Sequence, residues 1–236
     1  MIWCLHGAVG SSRDWDEFGR LVGEAGYVCR AVDLWRFLEC EGMGLWDWAR
    51  AFHAEVKADG DEERILLGYS MGGRLALHAL LEEPELWDRV IVVSAHPGLV
   101  TEEERLERMA ADARWAGQAL TGDWGEFVEA WNEQGVLEGS AGGGERSLLV
   151  NRRRAIARSF MEWSLGRQED LGGRLRDWEG KGLWVTGQRD EKFATLSEGA
   201  GESFERLVIE GAGHRVPWDK PAEFGLAVLD WVRKAD

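Results

Sequence analysis

The chain has 236 residues, 44% of them hydrophobic and 30% charged, which excludes wholesale disorder, a collagen-like fibre or a membrane bundle. Single hydrophobic cores stop growing only near ~250–300 residues, so one domain with an excursion is expected. The formal net charge of −15 argues against a nucleic-acid or anionic-membrane partner, and at first sight against an acidic substrate too, because the whole-molecule field repels all three.

Short β-rich apolar runs at 2–5, 27–32, 65–69, 90–94, 183–186 and 207–209 read as buried strands. Amphipathic stretches near 14–25, 45–58, 71–82 and 221–234 read as helices between and after them. This alternation predicts an α/β fold with a mainly parallel sheet of about six strands flanked by helices. The regularity breaks between Val93 and Lys181, a span too long for a plain loop. Amphipathic stretches at 102–120, 124–132 and 147–163 predict a helical lid over 97–170, inserted into a core formed by 1–96 and 171–236. The tract Gly142-Gly143-Gly144 reads as a flexible turn within it. The acidic runs 59–63 and 102–104 read as solvated, the second suiting a helix start after Thr101.

The N-terminus has no basic segment and only a short apolar run, and no 18-residue apolar stretch occurs, so neither export nor membrane insertion is expected. Cys4, Cys29 and Cys40 form no disulfide framework or zinc pattern by their spacing, which fits a reducing cytoplasm. No HxH or HExxH pattern occurs and no carboxylate cluster suggests a metal, so neither a metal nor a cofactor is expected.

Gly68-Tyr69-Ser70-Met71-Gly72 follows the third apolar run and opens a helical pattern. A serine on a strained strand-to-helix turn needs neighbours without Cβ atoms if its hydroxyl is to stand clear, and the helix start offers amides to a developing negative charge. A serine hydroxyl is a poor nucleophile or base unless a histidine takes its proton and a carboxylate fixes that histidine's tautomer. Asp190 lies just past the fifth run and His214 just past the sixth, so Ser70, Asp190 and His214 all fall at strand ends. Asp14 and Asp33 compete less well for the acid. The backbone amides of Ala8, after the first strand, and Met71 are the candidate oxyanion donors. His53 and His78 read as surface or packed residues, and His96 as a loop residue bordering the cleft.

The segments Leu5-His6-Gly7-Ala8-Val9-Gly10-Ser11, Gly68–Arg74, Gly187-Gln188-Arg189-Asp190-Glu191-Lys192-Phe193 and Gly211-Ala212-Gly213-His214 resemble α/β-hydrolases. More narrowly they resemble the 2-succinyl-6-hydroxy-2,4-cyclohexadiene-1-carboxylate synthases of menaquinone biosynthesis, a likeness that runs on through His96-Pro97-Gly98-Leu99, Phe127–Trp131 and Trp163–Gln168. The resemblance implies an α/β-hydrolase fold and a lyase that eliminates pyruvate from a cyclohexene polycarboxylate without acylation. It makes Ser70 the base, His214 its activator and Asp190 the orienter. Its substrate-binding residues fall on Tyr69, Arg74, Trp131 and Arg152, with a further lid arginine at Arg108, where Arg105 and Arg114 are close neighbours.

A polycarboxylate ligand calls for planar, permanently charged donors, hence Arg in place of Lys. Residues 146–167 hold six arginines against one glutamate, so a small anionic organic substrate remains compatible with the overall negative charge. Of Arg152, Arg153 and Arg154, one is expected to face the cleft, and Trp131 reads equally as ligand contact or lid core. The alternative function is a serine hydrolase, a carboxylesterase or carbon–carbon hydrolase with the same triad. A non-catalytic receptor of the same fold fits less well with an intact triad. The chain opens directly on the strand carrying His6-Gly7, which predicts a sheet edge that is exposed or covered by a partner; monomer and homodimer both stay open.

Overall fold

Alternation along the short strands decides the layering, since neighbouring side chains point to opposite faces of a sheet. In the computed structural model, which describes residues 1–60, 63–141 and 144–234, six strands form one sheet: β1 (Ile2–Leu5), β2 (Cys29–Val32), β3 (Ile65–Tyr69), β4 (Arg89–Val93), β5 (Gly182–Gly187) and β6 (Phe204–Ile209). The order is β2-β1-β3-β4-β5-β6, with every neighbouring pair parallel. Trp3, Leu5, Leu66, Val90 and Val92 face one buried layer, while Ile2, Cys4, Ile65, Leu67, Ile91 and Val93 face the other. Both faces are therefore apolar and both are covered, as a parallel sheet requires.

The helices are α1 (Asp16–Glu24), α2 (Leu45–Ala58), α3 (Met71–Glu82), α4 (Glu102–Thr121), α5 (Trp124–Asn132), α6 (Arg153–Glu162), α7 (Gly172–Arg176), α8 (Glu191–Ser197), α9 (Val216–Asp219) and α10 (Pro221–Lys234). Phe18 and Val22 of α1 pack with Phe224 and Val228 of α10 on one face of the sheet. Trp48 and Phe52 of α2 pack with Leu75 of α3 on the other, in a layer continuous with Phe127, Phe160 and Trp163 of the insertion between β4 and β5. That insertion starts at α4, whose entry is fixed by a capping box: Glu104 N–H donates to Thr101 Oγ1, and Thr101 N–H donates back to Glu104 Oε2.

Four differences from the sequence reading share one cause. The short helices α7, α8 and α9 and a 3-10 segment at Leu34–Leu38 have too few turns to leave a hydrophobic period. Residues 147–152, expected as the first turns of an α-helix, wind as 3-10, so α6 begins only at Arg153. Gly142 and Gly143 of the expected glycine turn, and Asp61 and Glu62 of the acidic run, lie outside the described residues.

His53 and His78 are both packed. His78 lies in α3 against Trp46, with ring centroids 4.6 Å apart, and its Nδ1 stands 2.7 Å from the Arg74 carbonyl it donates to. Burial pushes its pKa down to about 4, with the nearby Arg74 and Arg174 charges adding to the effect. Unfolding therefore takes up a proton between pH 4 and the unperturbed value near 6.5, so stability is full above that range and falls as the pH drops through it. His78→Leu is expected to flatten this loss by about 2 kcal/mol, read as the difference between urea unfolding at pH 7 and pH 4.5. An unchanged difference would mean that His78 is not the group responsible.

Candidate active site

Ser70 sits between β3 and α3 with φ +52° and ψ −113°, outside the ordinary wells for a residue with a side chain. The turn is pinned on both sides: Ser70 N–H donates to the Val93 carbonyl of β4 at 2.8 Å, and Arg74 N–H donates to the Ser70 carbonyl at 3.0 Å. Close backbone approach explains the flanking glycines. A Cβ on Gly68 would lie 2.3 Å from the Gly72 carbonyl oxygen, and one on Gly72 would lie 2.4 Å from that of Leu5. Among the described residues, the non-glycine positions with positive φ are Val9, Ser70 and Ser94, and all three border one cavity. Backbone strain is thus concentrated where chemistry would occur.

Asp190 follows β5 and His214 follows β6, so strand order brings both to the C-terminal edge beside Ser70. His214 Nδ1 is 2.8 Å from Asp190 Oδ2, and its Nε2 is 3.2 Å from Ser70 Oγ. A proton on Nδ1 donated to Asp190 leaves the Nε2 lone pair facing the serine hydroxyl, the arrangement a general base needs. Both side chains are nearly enclosed, at 4% and 5% exposure.

The loop after β1 is held from below. Leu34 N–H donates to His6 Nε2 at 3.2 Å, so the ring proton belongs on Nδ1, which lies 2.9 Å from the Gly7 carbonyl and donates to it. Burial lowers the His6 pKa and keeps the ring neutral. Trp35 Nε1–H donates to the Gly10 carbonyl at 2.8 Å. Ala8 in this loop and Met71, the first residue of α3, border the cavity next to Ser70.

The cavity has a volume of about 200 Å³. Five cationic side chains line it, Arg74, Arg108, Arg146, Lys192 and Arg215, against the carboxylates Asp14 and Asp112. Arg108 donates to Asp112 at 2.9 Å, Arg146 forks onto Asp14, and Arg215 donates to Asn132 Oδ1 and the Ala141 carbonyl. Arg74 is different. Its guanidinium is buried and donates only to neutral oxygens, Gln168 Oε1 at 3.1 Å and the Trp163 carbonyl at 2.6 Å. Burial, reinforced by the Arg108 charge, pulls its pKa down to about 9, which still leaves it a cation at neutral pH.

Tyr69, Arg74, Arg108 and Trp131 all border the cavity. The Tyr69 ring packs 4.7 Å from Trp218 and 5.6 Å from His214, and burial raises its hydroxyl pKa. Trp131 also packs 5.2 Å from Trp115 and from Phe160. Arg152 is the correction: its guanidinium is held by Asp33 at 3.0 Å and by Glu39, away from the residues that line the cavity. Nor does either neighbour reach it, because Arg153 donates to the Ala119 and Gly122 carbonyls at the end of α4, while Arg154 is exposed. Arg146, Lys192 and Arg215 stand at the cavity without having been singled out. The sequence did offer a signal for each: Arg146 belongs to the arginine-rich segment, Lys192 to the segment around Asp190 that carries the resemblance, and Arg215 adjoins His214. Asp33 caps the 3-10 segment by accepting from Trp35 N–H. His96 borders the cavity as a neutral ring, its pKa pushed to about 4 by burial and by Lys192, and its Nδ1 accepts from Gly98 N–H at 3.1 Å.

A serine on a strained strand-to-helix turn, a histidine–carboxylate pair at the ends of later strands and an all-parallel sheet define an α/β-hydrolase, and the chain belongs to the alpha/beta hydrolase family, whose model matches residues 4–225. It belongs more narrowly with the 2-succinyl-6-hydroxy-2,4-cyclohexadiene-1-carboxylate synthases. The protein of that name from Pectobacterium atrosepticum is 33% identical, the match covering 97% of this chain and 92% of the relative. The one from Enterobacter sp. is 29% identical, covering 97% and 90%. Among solved structures, MenH from S. aureus superposes with a TM-score of 0.88 at 20% identity, covering 99% of this chain and 93% of that one. An esterase from Exiguobacterium antarcticum gives 0.79 at 19% identity, covering 98% and 91%, which shows the shared fold.

Proposed function

We propose that this chain is a carbon–oxygen lyase that eliminates pyruvate from a cyclohexene polycarboxylate to give 2-succinyl-6-hydroxy-2,4-cyclohexadiene-1-carboxylate. The observation that carries the reading is Arg74, a buried cation at the cavity of the triad whose hydrogen-bond partners are all neutral. Asp112 offsets this charge only through space, its oxygens being engaged by Arg108 and Ser164, and a substrate carboxylate would supply the direct counter-charge. An esterase pocket for small neutral substrates has no use for a lining of five cations against two carboxylates.

In the reaction, His214 Nε2 takes the Ser70 proton as Ser70 Oγ removes a proton from the substrate ring. The C–H electron pair becomes a ring double bond and the ring C–O bond breaks, releasing the enolate of pyruvate, which takes up a proton to become the ketone. Asp190 steadies the imidazolium. The amides of Ala8 and Met71 hold the developing negative charge. Tyr69, Arg108 and Trp131 complete the substrate wall, with Arg146 taking the place expected of Arg152. Residues 97–170 act as a lid over a core of 1–96 and 171–236. The chain would work in the cytoplasm, as monomer or homodimer, on a small anionic substrate.

Two assays in parallel test this. Pyruvate release from the cyclohexene substrate, followed by a coupled NADH reading, should proceed with multiple turnovers. Para-nitrophenyl acetate should give no burst of acyl-enzyme stoichiometric with protein. A burst without pyruvate would overturn the proposal in favour of a hydrolase.

A further inference from the structure

Asp14 stands at the cavity wall with its side chain only 2% exposed, yet the triad leaves it without a role. It touches the oxyanion loop directly. Ser11 N–H donates to its Oδ2 at 3.0 Å, and that same oxygen lies 2.9 Å from where a Cβ on Gly10 would be, so the carboxylate is packed against the loop backbone. Ala8 lies two residues upstream, followed by Val9 at φ +51°, a conformation that a β-branched residue keeps only when its surroundings impose it. From the other side, Arg146 of the insertion forks onto both oxygens of Asp14, at 2.6 and 2.9 Å. Arg146 is in turn fixed through its carbonyl, which accepts from Trp124 Nε1–H of α5 at 2.8 Å. A bidentate pair enclosed at 2% and 15% exposure has one geometry, unlike a surface ion pair.

We infer that Asp14 is a positioning residue for the oxyanion loop, and that Arg146 makes this positioning depend on the helical insertion being docked. The pair transmits the placement of α5 to the backbone that carries the Ala8 amide. This rests on the proposed site in one respect, the assignment of Ala8 as an oxyanion donor, and is independent of which substrate is turned over. Displacing an oxyanion amide costs rate without removing any catalytic side chain.

The test is the second-order rate at which a small, neutral fluorophosphonate labels the full chain, read as the mass gain on the Ser70 peptide. In that reaction Ser70 Oγ bonds to phosphorus, fluoride leaves with the P–F electron pair and His214 takes the hydroxyl proton. The phosphoryl oxygen occupies the oxyanion site while no substrate carboxylate is involved, so loss of Arg146 as a ligand cation cannot account for a change. Asp14→Asn keeps an oxygen for Ser11 N–H but loses the charged fork, and Arg146→Ala loses the fork from the other side. Each is expected to slow labelling about tenfold or more, and the double variant to be no slower than the slower single one. Singles that are folded by circular dichroism and label at the wild-type rate would overturn the inference, as would losses that multiply in the double variant. If Asp14→Asn does not fold, Arg146→Ala decides alone. An unlabelled wild-type chain would overturn this inference too, whereas normal labelling with no pyruvate release would sink only the lyase reading.

Discussion

Replacing Ser70 by alanine is expected to lower kcat for pyruvate release by about 10³-fold while leaving the fold in place. The change removes only Oγ. The amide that anchors the turn on Val93 and the carbonyl that starts α3 are backbone groups and remain. Melting temperature should therefore stay within a few degrees of wild type. In the proposed mechanism serine and histidine form one proton relay, so His214→Ala should cost a similar factor, and the double variant should be little worse than Ser70→Ala alone. Measured kcat values for the three variants decide the matter. Multiplying losses would mean that Ser70 and His214 act separately, which the 3.2 Å contact between them does not suggest.

Arg74→Ala is expected to lower kcat/KM for the polycarboxylate by about 30-fold or more, equivalent to the 2 kcal/mol or more typical of truncating one partner of a buried charge pair. Arg74→Lys should rescue little of this, since an ammonium cannot reproduce the planar guanidinium that donates to both Gln168 and Trp163 while bordering the cavity. The alanine variant also leaves the Gln168 and Trp163 oxygens without their donor, at a stability cost of about 1–3 kcal/mol. The labelling rate of Ser70 by a neutral fluorophosphonate separates the two effects. It should change far less than kcat/KM if Arg74 binds a carboxylate, and by the same factor if Arg74 merely props up the site.

The sheet was legible in the sequence because a parallel strand buried on both faces is written as a continuous apolar run, as in Ile65–Tyr69 and Gly182–Gly187. The strand-to-helix turn at Ser70 was legible because its geometry demands glycine on both sides. Strand ends then pointed to Asp190 and His214, which the structure brings together with Ser70. Of the insertion's arginines, Arg108 was reached through the resemblance and borders the cavity, whereas Arg146 was not singled out and Arg152, in residues 147–152 that wind as 3-10, lies elsewhere. A 3-10 turn advances about 120° per residue against about 100° for an α-helix, so six residues accumulate a rotation of roughly a third of a turn. The 3-10 winding leaves Arg152 facing Asp33 and Glu39. Arg146 precedes that segment and reaches the cavity through Asp14, a contact 132 positions away in sequence that no local pattern encodes.

Charge shows the same limit. A chain of net charge −15 lines its cavity with five cations and two carboxylates, so the sign of the whole molecule and that of the site are opposite. The bulk charge bears on solubility and large partners, whereas the ligand meets the local field. The fourteen tryptophans divide in a comparable way. Trp131, Trp163 and Trp218 border the cavity, while Trp48, Trp87 and Trp184 are core.

In the proposed mechanism Ser70 serves as a base in an elimination and adds no water to the substrate. Turnover of the cyclohexene polycarboxylate in ¹⁸O-water tests it directly, with mass spectrometry of the ring product read against authentic product held in the same water. Elimination predicts one pyruvate for each ring product and no ¹⁸O in that product beyond the level of the standard. A hydrolytic product carrying one solvent oxygen, or ring product formed without pyruvate, would contradict the account.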